Sequence, residues 1–257
     1  MTKFSATILT FNEEQRIDSC LESLKGIADE IIVVDSFSTD RTLEICRRHG
    51  CRISQRRLAG YGAQRQYATS LTSHSYVLAI DADEVLSPAL RNSLLRLKET
   101  GCTHRVYGMA RLNFYCGLPV KNSGGYPDLQ IRLFDKRYAN WNLRDVDERV
   151  IFHDSVTPEL LDGDLLHYQC ENPDEYTATA MHQAGIIANT IASSNTFIGP
   201  LSPTLHGLKT FLGCYIYSKG MLDGHAGLAI ARTRYRATKH AWNSARRILQ
   251  QKKSSGQ

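Results

Sequence analysis

The sequence predicts an α/β fold in which a mostly parallel sheet is covered by helices on both faces. Over the first 100 residues, short apolar runs alternate with segments whose apolar residues recur at helical spacing. The runs ATILTF, IIVVD and YVLAI are apolar on both faces, as in the strands of a buried parallel sheet. The polar clusters TFNEE, DSFSTD and DADE stand where these runs end. Because ligands gather at the carboxyl ends of strands in such sheets, we expect a binding site there.

The order of the elements follows from this alternation and from capping residues. After the first strand, Asn12 stands three residues before a glutamine and is predicted to cap the first helix. After the second strand, Asp40 is predicted to cap a helix over RTLEICRRHG, which Gly50 can end. CRIS is predicted as a weaker third strand and YVLAI as the fourth. Ser87 and Pro88 then supply an N-cap and a first-turn proline for the helix over SPALRNSLLRLKE.

Beyond the first 100 residues the pattern changes. THRVYGMARLNFY and LQIRLF are predicted to form longer strands, and the loop CGLPVKNSGGYP between them is expected to lie over the site. NPDEYTATAMHQAGIIANTIASS is predicted to be a helix, and two further helical stretches follow it.

Composition predicts a folded chain that stays in the cytosol. Of the 257 residues, 42% are hydrophobic and 22% are charged, which suffices for a core. The first residues lack a signal-peptide pattern, and no stretch approaches the roughly 18 apolar residues of a membrane-spanning helix. Seven scattered cysteines without a C-x-x-C pair indicate reduced structural thiols.

Positive charge is concentrated at the C-terminal end. Residues 201–257 contain ten lysine and arginine residues and one acid, so this segment carries a formal charge of +9, while the whole chain carries +5. The segment mixes these cations with Phe, Tyr, Leu and Ile. It is therefore predicted either to lie on an anionic membrane surface or to pack on the rest of the protein with a basic outer face.

The acids of DADE raise the question of a metal ion. Asp81 and Asp83 stand two residues apart, so an extended strand end would place both carboxylates on one side. Two carboxylates in this arrangement suit a hard divalent cation that keeps open positions for phosphate oxygens. The alternative is a pair of solvated turn acids.

Two further features point to an anionic nucleotide ligand. Asp35 ends the second strand, where it could bind a base or ribose, or could simply begin a turn. In AGYGAQRQYA, Gly60 and Gly62 permit close approach of a backbone, and Arg65 near a helix N-terminus favours an anion.

Several of these motifs together resemble the family-2 glycosyltransferases of the GT-A fold: ILTFNEEQRIDSCLESL, ADEIIVVDSFSTDRT, YGAQRQYA and VLAIDADE. YPDLQIRLF, VDERV and LLHY are similar to the bacterial branch that adds a hexose to the lipopolysaccharide inner core. The resemblance implies a GT-A domain over residues 1–170, with a nucleotide-sugar half (1–100) and an acceptor half (101–170). A helical, basic C-terminal segment (171–257) follows it.

The resemblance also implies an inverting reaction, a UDP-sugar donor, UDP-glucose first among them, and Mg²⁺ or Mn²⁺. Arg65 would face the base or the diphosphate, Asp81 the ribose or the metal, and Asp83 would bind the metal directly. His167 would complete the metal sphere, or would simply be packed. The residues expected around the nucleotide sugar are Thr10, Phe11, Asn12, Glu13, Asp35, Arg65, Asp81, Ala82 and Asp83.

A carboxylate is needed to deprotonate the acceptor hydroxyl in an inverting transferase. Glu148 matches the His-Glu pattern of the branch, with Asp147 in place of the histidine, and is the predicted base. Asp147 and Asp128 are the alternatives. Glu148 could also belong to a solvated turn in which Arg144 and Arg149 pair with the acids.

Tyr126, Gln130 and Arg132 are predicted to meet the acceptor or the donor diphosphate, although Arg132 could instead pair only with Asp128. The expected acceptor is a lipid-linked inner-core oligosaccharide, which implies peripheral attachment to the cytoplasmic face of the inner membrane. No nucleic-acid-binding motif accompanies the basic residues, so no nucleic acid is expected. No sequence feature specifies an oligomeric state.

Two other functions fit part of the pattern. A nucleotidyltransferase would carry a glycine-rich basic loop after its first strand, where this chain has TFNEEQRI. A non-catalytic protein that binds a nucleotide sugar or an anionic lipid would bind UDP-sugar without turnover.

Overall fold

The protein forms two compact units. The computed structural model describes residues 1–144, 148–152, 156–194 and 197–254. The first unit comprises Met1–Arg111 and Pro127–His167, and the second comprises Leu112–Tyr126 and Tyr168–Gln257. Residues 112–126 therefore group with the C-terminal residues in space.

The first unit begins with four parallel strands, which lie in the order β3-β2-β1-β4. They are β1 (Phe4–Thr10), β2 (Glu30–Asp35), β3 (Arg52–Gln55) and β4 (Tyr76–Asp81). The helices that connect them are α1 (Ile17–Ser23), α2 (Thr42–Arg48) and α3 (Tyr61–Ser70). In register, Thr10 of β1 pairs with Asp35 of β2, so the carboxyl ends of these two strands lie together.

Antiparallel strands extend this sheet beyond β4, in the order β4-β8-β6-β11-β5. The elements are β5 (Glu84–Leu86), α4 (Pro88–Thr100), β6 (Val106–Tyr115), β7 (Leu118–Val120), β8 (Asp128–Asp135), β9 (Ala139–Trp141), β10 (Val150–Phe152) and β11 (Glu159–Cys170). β9 and β10 form a separate antiparallel pair. β7 pairs with the end of β6 that belongs to the second unit, so the segment predicted as a loop contains a short strand.

Both faces of the parallel strands are buried. In β4, Leu78 and Ile80 pack into the core formed with α1, α2 and α4. Val77 and Ala79 point to the other face, where they pack with β8 and the β9–β10 pair. Because successive side chains of a strand point to opposite faces, a strand covered on both sides must be apolar throughout. The predicted α/β fold is thus confirmed.

The second unit contains the C-terminal helices. They are α5 (Pro173–Ser193), α6 (Ser202–Leu212), a π-helical turn (Gly213–Tyr217), a 3-10 turn (Gly220–Asp223) and α7 (Gly224–Ser254). α7 packs against α5 and α6. Alanines at helical spacing, Ala188 and Ala192 of α5 with Ala245 of α7, allow a close approach. In the described ranges no helix combines the length and the apolarity that crossing a bilayer requires.

The predicted helix boundaries are correct where a side chain caps a free backbone group. The Ser87 hydroxyl accepts a hydrogen bond from the Leu90 N–H at 3.2 Å at the start of α4. The prediction for Asn12 is wrong, because α1 begins only at Ile17. Asn12 has a left-handed backbone conformation, and its Oδ1 accepts from the Thr39 N–H at 2.8 Å. It therefore ties the loop after β1 to the loop after β2.

Candidate active site

Asp81, the last residue of β4, lies between two arginines. Arg65 Nη2 of α3 donates to its Oδ1 at 2.8 Å, and Arg132 Nη2 of β8 donates to its Oδ2 at 2.8 Å. Burial alone would raise the pKa of Asp81. The charges of Arg132 and Arg65 outweigh that effect and hold the pKa well below its ordinary range. Asp81 is therefore a fixed anion.

Glu84 is fully buried and links the arginines to the strand end. Its Oε1 accepts from Arg132 Nη2 at 2.7 Å and from Arg111 Nη1 at 3.3 Å. Its Oε2 accepts from the backbone N–H of Asp81 at 2.9 Å. Glu84 is thus a structural carboxylate, and the three acids of DADE have different environments.

Asp83, the second acid of the motif, contacts His167. The histidine Nε2 of β11 lies 3.1 Å from Asp83 Oδ2, although 84 residues separate the two along the chain. Burial would lower the pKa of His167, but the neighbouring Asp83 carboxylate raises it above the ordinary value of 6.5. β11 pairs with β5, and this register sets His167 opposite Glu84.

Asp83 and His167 are suitable ligands for a divalent cation. A carboxylate oxygen and an imidazole nitrogen are both common ligands of Mn²⁺-type ions. Across residues 1–144, 148–152, 156–194 and 197–254, no group of three or more His, Cys, Asp or Glu side chains is arranged to hold a metal. A cation that bound Asp83 and His167 would keep its other positions for a substrate or water.

Glu148 is brought to the same end of the sheet. Its Oε1 accepts from Arg65 Nε at 2.9 Å, so Arg65 joins Glu148 to Asp81. The Arg65 guanidinium also lies over the ring of Trp141, 4.6 Å from its centroid. Asp147 lies outside the described residues. Arg65 is buried among these partners and positions Glu148 and Asp81.

Segment 142–144, which precedes Glu148 in the sequence, makes close backbone contacts with Gly62. The Gly62 N–H donates to the carbonyl of Arg144 at 3.0 Å. A Cβ at position 62 would overlap the carbonyl oxygen of Asn142. The backbone N–H of Asn142 also donates to the carbonyl oxygen of Arg149 at 2.9 Å. The close approach that Gly62 permits is thus made by the chain's own segment 142–144.

Arg132 does not pair with Asp128, the alternative partner expected from the sequence. Arg111 of β6 takes that position instead, and its Nε and Nη2 donate to Asp128 Oδ2 at 2.8 and 2.6 Å. Gln130 Nε2 donates to Asp128 Oδ1 at 2.7 Å. The reason is the register of β6 and β8, which places Arg111 opposite Asp128.

The carboxylates of this network outnumber its arginines. Asp81, Glu84, Asp128 and Glu148 pair with three guanidinium groups, those of Arg65, Arg111 and Arg132, whereas Asp83 contacts His167. Five acids against three arginines leave excess negative charge, which a bound cation would offset.

Asp35 and its neighbours shape the adjoining edge of the sheet. The buried Asp35 carboxylate accepts from the N–H groups of Phe37 and Ser38 at 3.0 Å and from Gln55 Nε2 at 2.9 Å. It therefore holds the loop after β2. The ring of Phe11, on the loop after β1, is exposed.

The remaining predicted residues lie as follows. Thr10 is buried at the end of β1, and the Glu13 N–H donates to Thr42 Oγ1 at 2.8 Å. Ala82 is buried between the two aspartates. Tyr126 belongs to the second unit.

The fold and the strand-end carboxylates place the chain among α/β proteins with a site at the carboxyl edge of a parallel sheet. Within that class, the chain belongs to glycosyl transferase family 2, whose family model matches residues 5–147. This confirms the resemblance predicted from the sequence at the level of the family.

Individual relatives cover only part of the chain. It is 35% identical over 143 residues to an uncharacterized glycosyltransferase of Rickettsia typhi, a match covering 55% of this chain and 49% of that protein. It is 30% identical over 175 residues to a lipopolysaccharide core biosynthesis glycosyltransferase of Rhizobium meliloti, covering 64% of this chain and 63% of that protein. The chain spans about half the length of the first relative and under two thirds of the second.

A solved structure also matches part of the chain. This is glucosyl-3-phosphoglycerate synthase of Mycobacterium tuberculosis, in complex with Mn²⁺, UDP and glucosyl-3-phosphoglycerate. The identity is 25%, the TM-score is 0.36, and the match covers 44% of each chain.

Proposed function

We propose that this protein is an inverting, metal-dependent glycosyltransferase. In this proposal it moves a hexose, namely glucose, from a UDP-sugar to an inner-core acceptor of lipopolysaccharide. The observation that carries the proposal is the contact of Asp83 with His167 at the end of β4, beside the Arg65-linked carboxylates Asp81 and Glu148.

Asp83 and His167 would hold the divalent cation, Mg²⁺ or Mn²⁺. When bound, such an ion supplies positive charge that stabilises a leaving diphosphate. The nucleotide would lie along the ends of β1, β2 and β4. There the exposed ring of Phe11 offers a face to the base, and the loops held by Asn12 and Asp35 would contact the ribose.

Glu148 would act as the general base. Arg65 occupies its Oε1, so Oε2 is the oxygen that we propose accepts the proton of the acceptor hydroxyl. The acceptor oxygen then forms a bond to the anomeric carbon, on the face opposite UDP. The bond from that carbon to the diphosphate oxygen breaks, and its electron pair leaves with UDP. Inversion follows from this single displacement.

The acceptor assignment is supported by the relative from Rhizobium meliloti, whose name includes lipopolysaccharide core biosynthesis. Gln130, in the first unit, is the residue that we propose for contact with the acceptor or the diphosphate. A lipid-linked acceptor would require the chain to work as a peripheral protein at the cytoplasmic face of the inner membrane.

The test is calorimetric titration of UDP-glucose into the purified chain, with Mn²⁺ and with EDTA, on wild type and Asp83→Ala. We expect binding that requires both the metal and Asp83. The matched control is Asp162→Ala, which removes a carboxylate whose side chain is 92% exposed and should leave binding unchanged.

Binding that ignores both EDTA and Asp83→Ala would overturn the metal site. If UDP-glucose binds but is neither transferred to an acceptor nor slowly hydrolysed, a non-catalytic binding protein becomes the better assignment. If no UDP-sugar binds while a nucleoside triphosphate does, the nucleotidyltransferase becomes the better assignment.

A further inference from the structure

The outer face of α6 is apolar. Leu201, Leu205, Leu208 and Leu212 recur at spacings of three and four residues, so they share one side of the helix. All four are exposed, and the turns that follow add exposed Tyr217 and Leu222. We call these six residues, Leu201, Leu205, Leu208, Leu212, Tyr217 and Leu222, the α6 face.

The packing of α6 fixes this orientation. Its opposite side carries Pro203 and Gly207, which are buried. A Cβ at Gly207 would lie 2.9 Å from the ring of Tyr235 in α7, so this side is pressed closely against α7. A surface helix ordinarily turns its apolar side inward and its polar side to water. Here the small residues face inward and the leucines face outward, which marks an interaction surface.

The charge around the α6 face indicates the chemistry of its partner. Residues 201–222 contain no acid, and their cations, Lys209 and Lys219, are both exposed. The whole segment 201–257 carries a formal charge of +9. Exposed leucines and tyrosine flanked by lysines match the interfacial zone of a bilayer with anionic headgroups.

We propose that the α6 face inserts into the headgroup region of an anionic membrane and holds the enzyme there. α6 is 11 residues long, shorter than the roughly 20 residues of a spanning helix, so it would lie in the plane of the interface. The reason for docking, a lipid-linked acceptor, rests on the proposed function. The existence of the exposed α6 face does not depend on the proposed function.

The test is co-sedimentation of the full chain with vesicles that contain neither donor nor acceptor. One set is pure phosphatidylcholine, and the other is equal parts phosphatidylcholine and phosphatidylglycerol. We expect binding to the anionic set that weakens with added salt. Leu205→Gln should bind about fivefold more weakly, because one leucine no longer partitions into the interface.

A matched control is Leu160→Gln in the first unit. Leu160 and Leu205 are exposed to the same extent, 59% and 61%, so the two substitutions change surface polarity equally. Leu160→Gln should bind vesicles like wild type. Tyr217→Trp, at a position 92% exposed, should shift its fluorescence emission to the blue on anionic vesicles.

Equal binding of Leu205→Gln and wild type, or an unshifted tryptophan at position 217, would overturn the proposal. Self-association without lipid that Leu205→Gln abolishes would assign the face to a second copy of the chain. Failure of UDP-glucose titration together with intact vesicle binding would remove the proposed function and leave the docking surface standing.

Discussion

Glu84 is the residue on which the order of the charged network depends. Its two oxygens bind different groups, two arginines on one side and the backbone of Asp81 on the other. A glutamine keeps one acceptor oxygen, so Glu84→Gln must lose one set of contacts and leaves arginine charge uncompensated. We expect a loss of about 3 kcal/mol in the free energy of unfolding, measured by urea denaturation.

The exposed acid Asp162 provides the comparison for Glu84. Asp162→Asn should change the free energy of unfolding by less than about 0.5 kcal/mol, as surface substitutions ordinarily do. A similar effect of the two variants would mean that Glu84 does not organise the arginines.

Glu148 can be distinguished from the alternative bases by kinetics. Glu148→Gln should lower kcat by about 10²- to 10⁴-fold, since a glutamine cannot accept the proton, while the Kd for UDP-glucose stays unchanged. Asp128→Asn and Asp147→Asn should retain most of the turnover. If Asp128→Asn or Asp147→Asn loses turnover while Glu148→Gln keeps it, that aspartate is the base and the prediction is wrong.

The residues of the site that belong to local motifs were predictable from the sequence, and their partners were not. Asp81 and Asp83 follow an apolar strand, which any local analysis detects. Arg111 was missed because its importance arises only when β6 and β8 pair in one register. The only local sign of its role was that Arg111 is a charged residue within the apolar strand MARLNF. His167 was expected near Asp83 only through the family resemblance, because their contact depends on the pairing of β11 with β5.

At the scale of helices, two glycines should respond to alanine with opposite signs. Gly185 lies within α5 with open space around its Cα, so Gly185→Ala should stabilise the chain by about 0.5–1 kcal/mol. Gly227 lies in α7 against the carbonyl oxygen of Gly220, which an added Cβ would overlap. Gly227→Ala should therefore lower the free energy of unfolding by about 1–3 kcal/mol.

Thermal unfolding followed by circular dichroism measures both glycine variants. A loss of stability in Gly185→Ala would show that α5 contacts something at this position. An unchanged Gly227→Ala would show that α7 and the 3-10 turn do not touch as described.

Strands and helices were predictable to the extent that their ends are marked by local chemistry. Ser87 and Pro88 begin α4, and Gly50 follows α2 with a left-handed backbone, as the sequence indicates. Asn12 misled because its side chain has two possible uses, a helix cap or a bridge between loops. Only the parallel pairing of β1 and β2, which brings the Ser38–Thr39 loop beside it, decides between them.

At the scale of the whole molecule, opposite charges have separate places along the chain. Residues 1–200 carry a formal charge of −4 and contain the carboxylate network, whereas residues 201–257 carry +9. A bound cation would offset the negative charge of the carboxylate network, and an anionic surface would offset the positive charge of residues 201–257. The proposed donor site and the α6 face are therefore separate requirements, and each can fail without the other.

Ligand binding should accordingly stabilise the folded chain as a whole. A ligand that binds only the folded state at about 100 times its Kd adds about 2.7 kcal/mol. For a chain of this size, that corresponds to a rise in Tm of about 5–10 °C. We expect this rise for wild type with UDP-glucose and Mn²⁺ together, and little change with UDP-glucose and EDTA. Asp83→Ala should show no rise under either condition, while Asp162→Ala should follow wild type. An equal rise for Asp83→Ala would place the cation elsewhere.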